Sequence, residues 1–318
     1  MSRAFVFPGQ GAQTIGMGRA LAEAYPAAKA VFDEVDEALG EKLSRLIWEG
    51  EIEALTLTQN AQPALMATSL AALRALEAEG VKITDAKLVA GHSLGEYSAL
   101  AASGALSVAD TARLLRIRGK AMQEAVPVGV GAMAALLGLD FATAQSVAAE
   151  AAQGGEQGDV CQAANDNDPS QVVVSGHKAA VERAVELAKA AGAKRAMLLP
   201  VSAPFHCALM APAADVMAEA LANVEIKAPA VPLVANVSAE AVTDPVMIRA
   251  LLVEQVTGSV RWRESVLYMG AAQGISDIWE IGAGKALSGM VRRINKEITC
   301  RNIGTPEDIA GALEALKG

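Results

Sequence analysis

The sequence predicts an α/β protein with a largely parallel sheet and a small inserted domain. Short apolar segments alternate with helical segments along most of the 318 residues, which is typical of parallel strands joined by helices that cover both faces of a sheet. Residues 88–97 run from an apolar segment through a glycine-flanked serine into a helix, the order of a strand–turn–helix unit. Between residues 129 and 200 the segment order becomes βαββαβ, the order of a ferredoxin-like domain.

The overall composition indicates a globular protein and excludes several classes of function. The net charge of −9 argues against nucleic acid as the main ligand. We expect no membrane span and no signal peptide, because no apolar run is long enough for either. The three cysteines, Cys161, Cys207 and Cys300, are far apart and match neither a disulfide framework nor a metal-binding pattern. These features predict a cytoplasmic protein in a reducing compartment.

The first predicted strand covers residues 3–8 and ends in a glycine-rich loop. This loop reads Gly-Gln-Gly-Ala-Gln-Thr-Ile-Gly over residues 9–16. A dinucleotide-binding pattern would need glycine where Thr14 stands, and no Gly-Lys-Ser/Thr follows as a P-loop requires. Two interpretations remain: a plain tight turn, or a loop whose free backbone N–H groups hold an oxyanion.

Apolar spacing predicts four helices before the serine motif, at residues 19–25, 27–39, 43–49 and 64–79. Pro63 would then lie in the first turn of the fourth helix. Gln59, Asn60 and Gln62 precede that helix, where such residues usually act as caps or turn formers.

The stretch 88–97 carries the clearest motif of the chain. It predicts a short strand, then Gly-His-Ser-Leu-Gly, then a helix that begins near Glu96. In this context Ser93 would lie on a sharp turn that lifts its hydroxyl above the sheet edge, and the glycines would allow the close backbone approach. The pattern predicts a nucleophilic serine; the alternative is a glycine-rich turn with a solvated serine.

Arg118 lies on the apolar face of the next predicted helix, which covers residues 108–125. Its neighbours at three- and four-residue spacing are Leu114, Leu115, Ala121 and Met122. An arginine on such a face must extend to solvent, pair with a carboxylate or bind an anionic ligand. The residues alone leave all three possibilities open, and the ligand interpretation gains because this helix directly follows the serine motif.

The pattern from Gly129 to Pro200 predicts a small domain inserted into a large one. Its strands are expected at 132–138, 160–164, 171–175 and 195–200, and its helices at 141–152 and 178–191. We therefore assign residues 1–128 and 201–318 to the large domain and residues 129–200 to the small domain. In the large domain, helices at 210–221, 248–256 and 265–273 and strands at 232–236 and 275–281 follow.

A serine nucleophile needs a base within hydrogen-bond reach, usually a histidine. His92 adjoins Ser93 on a sharp turn, where adjacent side chains diverge. His177 begins a predicted helix of the small domain, where an exposed or capping role is expected. His206 is left as the candidate base, with a structural histidine in a proline-rich turn as the alternative.

The sequence offers no acid that is well placed to orient His206. The candidates between Ser93 and His206 include Asp140, Asp159, Asp166 and Asp168, all in the predicted small domain. A backbone or side-chain amide group could hold the imidazole instead.

Together these motifs resemble those of malonyl-CoA:acyl carrier protein transacylase, the loading enzyme of bacterial type II fatty acid synthesis. The resemblance rests on Phe-Val-Phe-Pro-Gly-Gln-Gly (5–11), Gly-His-Ser-Leu-Gly-Glu-Tyr (91–97), Arg-Gly-Lys-Ala-Met (118–122), Gly-Ala-Met-Ala-Ala (131–135) and Pro-Phe-His-Cys (204–207). It covers essentially the whole chain. It implies an α/β-hydrolase-like core with a mostly parallel sheet and a ferredoxin-like insertion, in agreement with the segment order.

The resemblance also implies roles for individual residues. Ser93 would be the nucleophile and His206 the base. The backbone N–H groups of Gln10 and Leu94 would form the oxyanion hole. The main-chain carbonyl of Gln255 would orient the histidine, so that the site holds a Ser–His pair and not a full triad.

The implied reaction moves a malonyl group from malonyl-CoA to the phosphopantetheine thiol of acyl carrier protein through a malonyl-serine ester. Arg118 would grip the malonyl carboxylate, Gln62 matches a pocket position, and Phe205 agrees with malonyl in related polyketide domains. No cofactor or metal is implied, because the CoA thioester is the substrate and the partner carries the phosphopantetheine. The alternatives are a serine hydrolase or thioesterase, a polyketide-type acyltransferase, and a catalytically silent docking module.

Acyl carrier protein is acidic in this family, so its docking on an acidic chain would need a local basic patch. The candidates are Lys189, Lys194 and Arg195, or Lys285, Arg292, Arg293 and Lys296. Solvated helix faces are the alternative interpretation of both sets.

Overall fold

The computed structural model describes residues 2–155, 157–201 and 203–317 and contains two β-sheets. In chain order the strands are β1 (Arg3–Phe7), β2 (Leu88–Gly91), β3 (Gly131–Leu137), β4 (Cys161–Asp168), β5 (Gln171–His177), β6 (Arg195–Leu198), β7 (Leu233–Val234), β8 (Ala241–Val242), β9 (Asp277–Ile281) and β10 (Thr299–Ile303). Strands β3 to β6 form a four-stranded sheet, and the others form a six-stranded sheet.

The α-helices connect and cover these strands. In chain order they are α1 (Arg19–Ala24), α2 (Pro26–Leu39), α3 (Leu43–Glu49), α4 (Ile52–Thr56), α5 (Thr58–Ala78), α6 (Leu94–Ala102), α7 (Val108–Glu124), α8 (Phe141–Gln153), α9 (Lys178–Ala190), α10 (Ala211–Ala222), α11 (Pro245–Thr257), α12 (Trp262–Leu267), α13 (Ala286–Ile294) and α14 (Pro306–Lys317). A 3₁₀ turn (Ala208–Met210) precedes α10, and a π-helical turn (Tyr268–Ala272) follows α12.

The six-stranded sheet has the order β10-β9-β1-β2-β7-β8 and is parallel except at the β7–β8 pair. In the β1–β2 register, Phe7 lies opposite Gly91. The carboxyl ends of β1 and β2 are therefore neighbours, and the glycine-rich loop after β1 lies beside the serine turn after β2. This sheet edge is where parallel α/β folds usually place their ligands.

Both faces of the six-stranded sheet are covered, as the sequence predicts. Side chains of a strand alternate between faces, so Phe5 and Phe7 enter the large core cluster that includes α5, α6 and α7. Ala4 and Val6 enter a second cluster on the other face, together with Trp262 of α12. Burial on both faces explains why β1 is a continuous apolar run and not an alternating one.

The four-stranded sheet has the order β4-β5-β3-β6, and each neighbouring pair is antiparallel. Its elements follow one another as β3-α8-β4-β5-α9-β6, and α8 and α9 share one apolar cluster with the sheet. This is the predicted ferredoxin-like arrangement. The domain boundaries at 128/129 and 200/201 stay a prediction, and residues 1, 156, 202 and 318 of the assigned domains lie outside the described residues.

Strand β4 links the four-stranded sheet to the segment between α11 and α12. Asn165 forms an isolated parallel bridge with Val260, and the backbone N–H of Asp166 donates to the Val260 carbonyl at 2.9 Å. The Val260 N–H donates to the carbonyl of Ala164 at 2.9 Å. The polar end of β4, which the sequence did not predict as strand beyond residue 164, is paired by these bonds.

Helix α5 differs most from the prediction. It begins at Thr58, six residues before the expected start, so Pro63 lies inside the helix and not in its first turn. The polar residues before Pro63 find partners in the fold: Asn60 Nδ2 donates to the Ala54 carbonyl at 2.8 Å, and Thr58 Oγ1 donates to Gln10 Oε1 at 2.8 Å. Because these side chains have hydrogen-bond partners in the fold, they are compatible with the helix, and Pro63 lies inside it with no N–H to donate.

Four elements had no counterpart in the sequence prediction: α4, β8, β10 and α14. Helix α4 has only five residues, β8 has only two, and β10 is an edge strand with mostly exposed or half-buried side chains. Short and edge strands lack the apolar run that makes a strand recognisable.

Candidate active site

Ser93 lies between β2 and α6 in a sharp turn, with φ 54° and ψ −111°. A positive φ is uncommon for a residue with a side chain. The turn depends on its flanking glycines, because a Cβ at Gly91 would overlap the Gly95 carbonyl and a Cβ at Gly95 would overlap the Phe7 carbonyl. The local sequence therefore folds into a tight strand-to-helix turn that exposes the Ser93 hydroxyl to a cavity.

The structure brings Ser93 and His206 together across 113 residues of sequence. Ser93 Oγ lies 2.8 Å from His206 Nε2, and His206 Nδ1 lies 2.9 Å from the main-chain carbonyl of Gln255. Since a carbonyl only accepts, Nδ1 carries the proton and Nε2 is left to accept from the serine hydroxyl. The geometry is that of a nucleophile and an oriented base.

The environment of His206 keeps its imidazole neutral. Burial, followed by the nearby positive charge of Arg118, lowers the pKa of His206 to about 3. A neutral imidazole can accept a proton at neutral pH, as a general base must.

No described aspartate of the small sheet orients His206. Asp166 is paired with Arg263 at 2.8 Å and Asp168 with Arg293 at 2.7 Å. Asp159 pairs with Arg183, and Asp140 caps the start of α8. The imidazole is held by the carbonyl of Gln255 instead.

Arg118 is almost completely buried, with 1% of its surface exposed. Its guanidinium donates at 2.8 Å to Gln62 Oε1 and at 2.8 Å to Gln255 Oε1, and it contacts Ser93 Oγ at 3.1 Å. Its Nε has no hydrogen-bond partner in the described part of the chain. All three partners are neutral, and the side chain does not reach solvent. Two of the three possibilities raised from the sequence, extension to solvent and a structural ion pair, therefore disagree with the structure.

A cavity of about 550 Å³ connects these residues. Ser93, His206, Arg118, Gln62 and Gln10 line it. The four-stranded sheet contributes Met133 of β3 and Asn165 and Asn167 of β4 to the walls. Helices contribute Leu94 of α6 and Ala286, Leu287 and Met290 of α13. Phe205 also lines the cavity, beside His206.

Gln10 and Leu94, the residues expected to form the oxyanion hole, line the same cavity as Ser93. Leu94 is the first residue of α6, and its N–H is one of the four that a helix leaves without an intrahelical partner. The neighbouring N–H groups are occupied: Ser93 N donates to Asn236 Oδ1 at 2.8 Å, and Gly95 N donates to the His92 carbonyl at 2.9 Å. The side chain of Gln10 is anchored by the hydroxyl of Thr58.

Two polar residues that the sequence analysis did not single out hold the serine turn. Asn236, two residues after β7, accepts from Ser93 N and donates from Nδ2 to the Gly91 carbonyl at 2.6 Å. Glu96 Oε2 accepts from Gln255 Nε2 at 2.8 Å and from Asn236 N at 3.2 Å. A polar residue after a buried strand was a signal for Asn236, whereas Glu96 had the pattern of an ordinary first-turn acid.

The other two histidines have structural partners. His92 Nε2 lies 2.9 Å from Asn167 Oδ1, and burial lowers the pKa of His92. His177 precedes α9, and its Nδ1 accepts from the Val160 N–H at 2.9 Å. Neither side chain contacts Ser93.

Two features are absent from the described ranges. These ranges contain no group of three or more His, Cys, Asp or Glu side chains arranged to hold a metal ion. They also contain no helix that is both long and apolar enough to span a membrane.

The parallel sheet, the strained serine turn and the Ser–His contact define an α/β protein with the site of a serine acyl-transfer enzyme. The family described as "Acyl transferase domain" matches residues 4–308. The sequence is 49% identical over 314 residues to the malonyl CoA-acyl carrier protein transacylase of Bacillus subtilis (strain 168), with 99% of this chain and 97% of that protein covered. The chain belongs to the acyltransferase family, among the malonyl-CoA–acyl carrier protein transacylases.

Solved structures agree with this assignment. The acyl-carrier-protein S-malonyltransferase from Bartonella henselae matches with a TM-score of 0.96 and 56% identity, and both chains are covered completely. A malonyl-transacylase in complex with its type II PKS acyl-carrier protein matches with a TM-score of 0.94 and 42% identity, covering 99% of this chain and 100% of that one.

Proposed function

We propose that this chain transfers the malonyl group of malonyl-CoA to the phosphopantetheine thiol of an acyl carrier protein, through an ester on Ser93. The observation that carries the proposal is the buried cation of Arg118, with neutral partners only, 3.1 Å from the Ser93 hydroxyl. A serine that receives an acyl group here receives it beside a site for an anion. The relatives are named as malonyl transferases that act with acyl carrier protein, and these names support malonyl-CoA and acyl carrier protein as the substrates of this chain.

In the first half-reaction His206 acts as the base. Its Nε2 takes the Ser93 proton over the 2.8 Å contact as the serine oxygen attacks the thioester carbonyl. The backbone N–H groups of Gln10 and Leu94 stabilise the oxyanion, with about 3 kcal/mol for a well-placed donor. The C–S bond then breaks, CoA leaves with the proton from His206, and a malonyl-serine ester remains.

The second half-reaction reverses these roles with a different thiol. His206 takes the proton of the phosphopantetheine thiol, and the sulfur attacks the ester carbonyl. The ester C–O bond breaks, Ser93 regains its proton, and the malonyl group leaves as a thioester on the carrier protein. Because both thiols use the same site in turn, the kinetics are ping-pong.

The malonyl carboxylate is recognised by Arg118. Gln62 and Gln255 hold the guanidinium from two sides, and Nη2 also contacts Ser93 Oγ. A malonyl carboxylate beside Ser93 would give this buried cation a charged partner, and hydrogen bonds between a guanidinium and a carboxylate are among the strongest in proteins. An acetyl group lacks this carboxylate and would leave the buried cation unpaired. Such an unpaired group is disfavoured strongly enough to exclude the wrong substrate.

Intact-mass measurement after mixing with malonyl-CoA tests the proposal. We expect one malonyl adduct on the wild-type chain, and none on Ser93→Ala. Adding phosphopantetheinylated carrier protein should remove the adduct and malonylate the carrier. A malonylated Ser93→Ala protein would contradict the proposal, and an adduct that water removes as fast as the carrier does would favour a hydrolase.

A further inference from the structure

Glu96 is a buried acid that the proposed reaction does not use. It lies in the first turn of α6, three residues after Ser93, with 1% of its surface exposed. One of its oxygens, Oε2, accepts two hydrogen bonds, from the side-chain amide of Gln255 and from the backbone N–H of Asn236. A buried carboxyl at this position needs an explanation, since burying an ionisable group is costly.

Both partners of Glu96 hold the reacting groups. The Gln255 side chain donates from Nε2 to the Ser93 carbonyl at 3.0 Å and accepts from Arg118 at Oε1. The main-chain carbonyl of the same residue accepts from His206 Nδ1. Gln255 therefore contacts the proposed nucleophile, base and anion-binding residue at once.

Asn236 holds the other side of the serine turn. Its Oδ1 accepts from the Ser93 N–H, and its Nδ2 donates to the Gly91 carbonyl. Glu96 Oε2 therefore accepts hydrogen bonds from both residues that hold the serine turn, Gln255 of α11 and Asn236 after β7. Without this acceptor the buried N–H of Asn236 would lose its partner, and the Gln255 amide would keep the Ser93 carbonyl and a longer contact of 3.5 Å to Asn236 Oδ1.

We propose that Glu96 is a positioning residue that aligns Ser93 and His206 through Gln255 and Asn236. In a Ser–His–acid triad the acid contacts the histidine directly. Here the carbonyl of Gln255 makes that contact, and the acid acts one residue further away, on the side chain of Gln255. This inference rests on the proposed function of the site.

The test compares Glu96→Leu and Glu96→Gln with the wild type in steady-state transfer of the malonyl group from malonyl-CoA to acyl carrier protein. Leucine fills a similar volume but accepts no hydrogen bond, so we expect kcat to fall about 30-fold while KM changes less than about twofold. Glutamine can still accept through its amide oxygen, so we expect Glu96→Gln to keep kcat within about threefold of the wild type at about pH 6.

Asp36→Leu is the matched control. Asp36 is also a buried carboxyl, which accepts from the backbone N–H and the hydroxyl of Ser44 in α3, and none of these groups lines the cavity. We expect Asp36→Leu to lower the melting temperature without lowering kcat. A folded Glu96→Leu protein with wild-type kcat overturns the inference, whereas a wild-type chain that takes no malonyl group overturns the proposed function.

If Glu96→Leu does not fold, the pH dependence of Glu96→Gln decides. Burial raises the pKa of Glu96 to about 7, opposed by the hydrogen bonds from Gln255 and Asn236 and by the charge of Arg118 on α7. The adjacent Tyr97 is neutral in this range, because burial raises its pKa further. We expect kcat of Glu96→Gln to match the wild type at about pH 6 and to fall about fivefold below it at about pH 8, where the wild-type acceptor is ionised. If the ratio of the Glu96→Gln kcat to the wild-type kcat is the same at both pH values, the inference is overturned.

Discussion

A buried arginine without a carboxylate partner disfavours the folded state until an anion binds it. Arg118 is in this position, because its described partners are the neutral side chains of Gln62, Gln255 and Ser93. The two amide oxygens offset part of the cost of burial and fix the direction of the guanidinium. The same residue pair thus stabilises the free protein and leaves the charge available to a ligand.

Arg118→Ala should therefore change the choice of acyl group more than it changes folding. We expect the ratio of kcat/KM for malonyl-CoA to that for acetyl-CoA to fall at least about 100-fold. Arg116→Ala is the matched control on the same helix, since Arg116 pairs with Glu41 and Asn60 away from the cavity. An unchanged ratio in Arg118→Ala would refute its role in recognising the carboxylate.

The pKa of His206 predicts a pH effect on stability. Its folded-state value of about 3 lies below the value of about 6.5 expected in the unfolded chain. The unfolded chain therefore binds more protons in between, so the contribution of His206 to stability is complete above about pH 6.5 and is lost as the pH falls towards 3. Urea unfolding at about pH 7 and about pH 4.5 should show a larger loss for the wild type than for His206→Asn. Parallel losses in the two proteins would contradict the lowered pKa.

At the scale of single elements, close backbone contacts at Gly91 and Gly95 shape the serine turn. Gly95 in α6 faces the carbonyls of Phe7 and Pro8 at the end of β1. This close approach brings the glycine-rich loop with Gln10 next to the first turn of α6. The helix start and the loop are thereby held as one unit around the Ser93 hydroxyl.

Gly95→Ala should separate this unit. The added methyl group would overlap backbone atoms that cannot move independently. We therefore expect the free energy of unfolding to fall by about 2–4 kcal/mol and most of the acyl-transfer activity to be lost. Gly311→Ala in α14 is the matched control: a Cβ there meets nothing within 4 Å, so helix propensity should make it neutral or stabilising. Urea unfolding of both variants checks this, and equal stabilities would contradict the proposed overlap.

At the scale of the whole molecule, the cavity is lined by strands of the four-stranded sheet and by helices that pack around the six-stranded sheet. The ion pairs Asp166–Arg263 and Asp168–Arg293 connect β4 to α12 and α13. Helix α13 also lines the cavity through Ala286, Leu287 and Met290. Arg292 and Arg293, two of the basic residues expected to bind a carrier protein, thus lie on a helix that lines the cavity. Arg293 already has an acidic partner in Asp168.

Lys285, directly before α13, and Arg292 within it are the better test of carrier docking, because both side chains are exposed. We expect Lys285→Glu combined with Arg292→Glu to raise the KM for an acidic carrier protein about tenfold while acylation by malonyl-CoA changes less than about twofold. The comparison is Lys189→Glu combined with Lys194→Glu on the other candidate patch. If only that second variant raises the KM, docking on α13 is wrong.

The sequence by itself determined the features that depend on local geometry. Glycine spacing predicts the serine turn, short apolar runs and period-3.6 patterns predict most strands and helices, and the order of segments predicts the ferredoxin-like sheet. Elimination among three histidines singled out His206, and the structure places it 2.8 Å from Ser93.

Only the tertiary structure decided which polar groups meet. Gln255 contacts Arg118 across 137 residues of sequence and Glu96 across 159, and no local pattern encodes such a pairing. Pro63 was misplaced for the same reason, because the polar residues before it find their partners in distant segments. Helix and strand periodicity reports which face of an element is buried, whereas the partner of a buried polar atom is set by how whole elements pack.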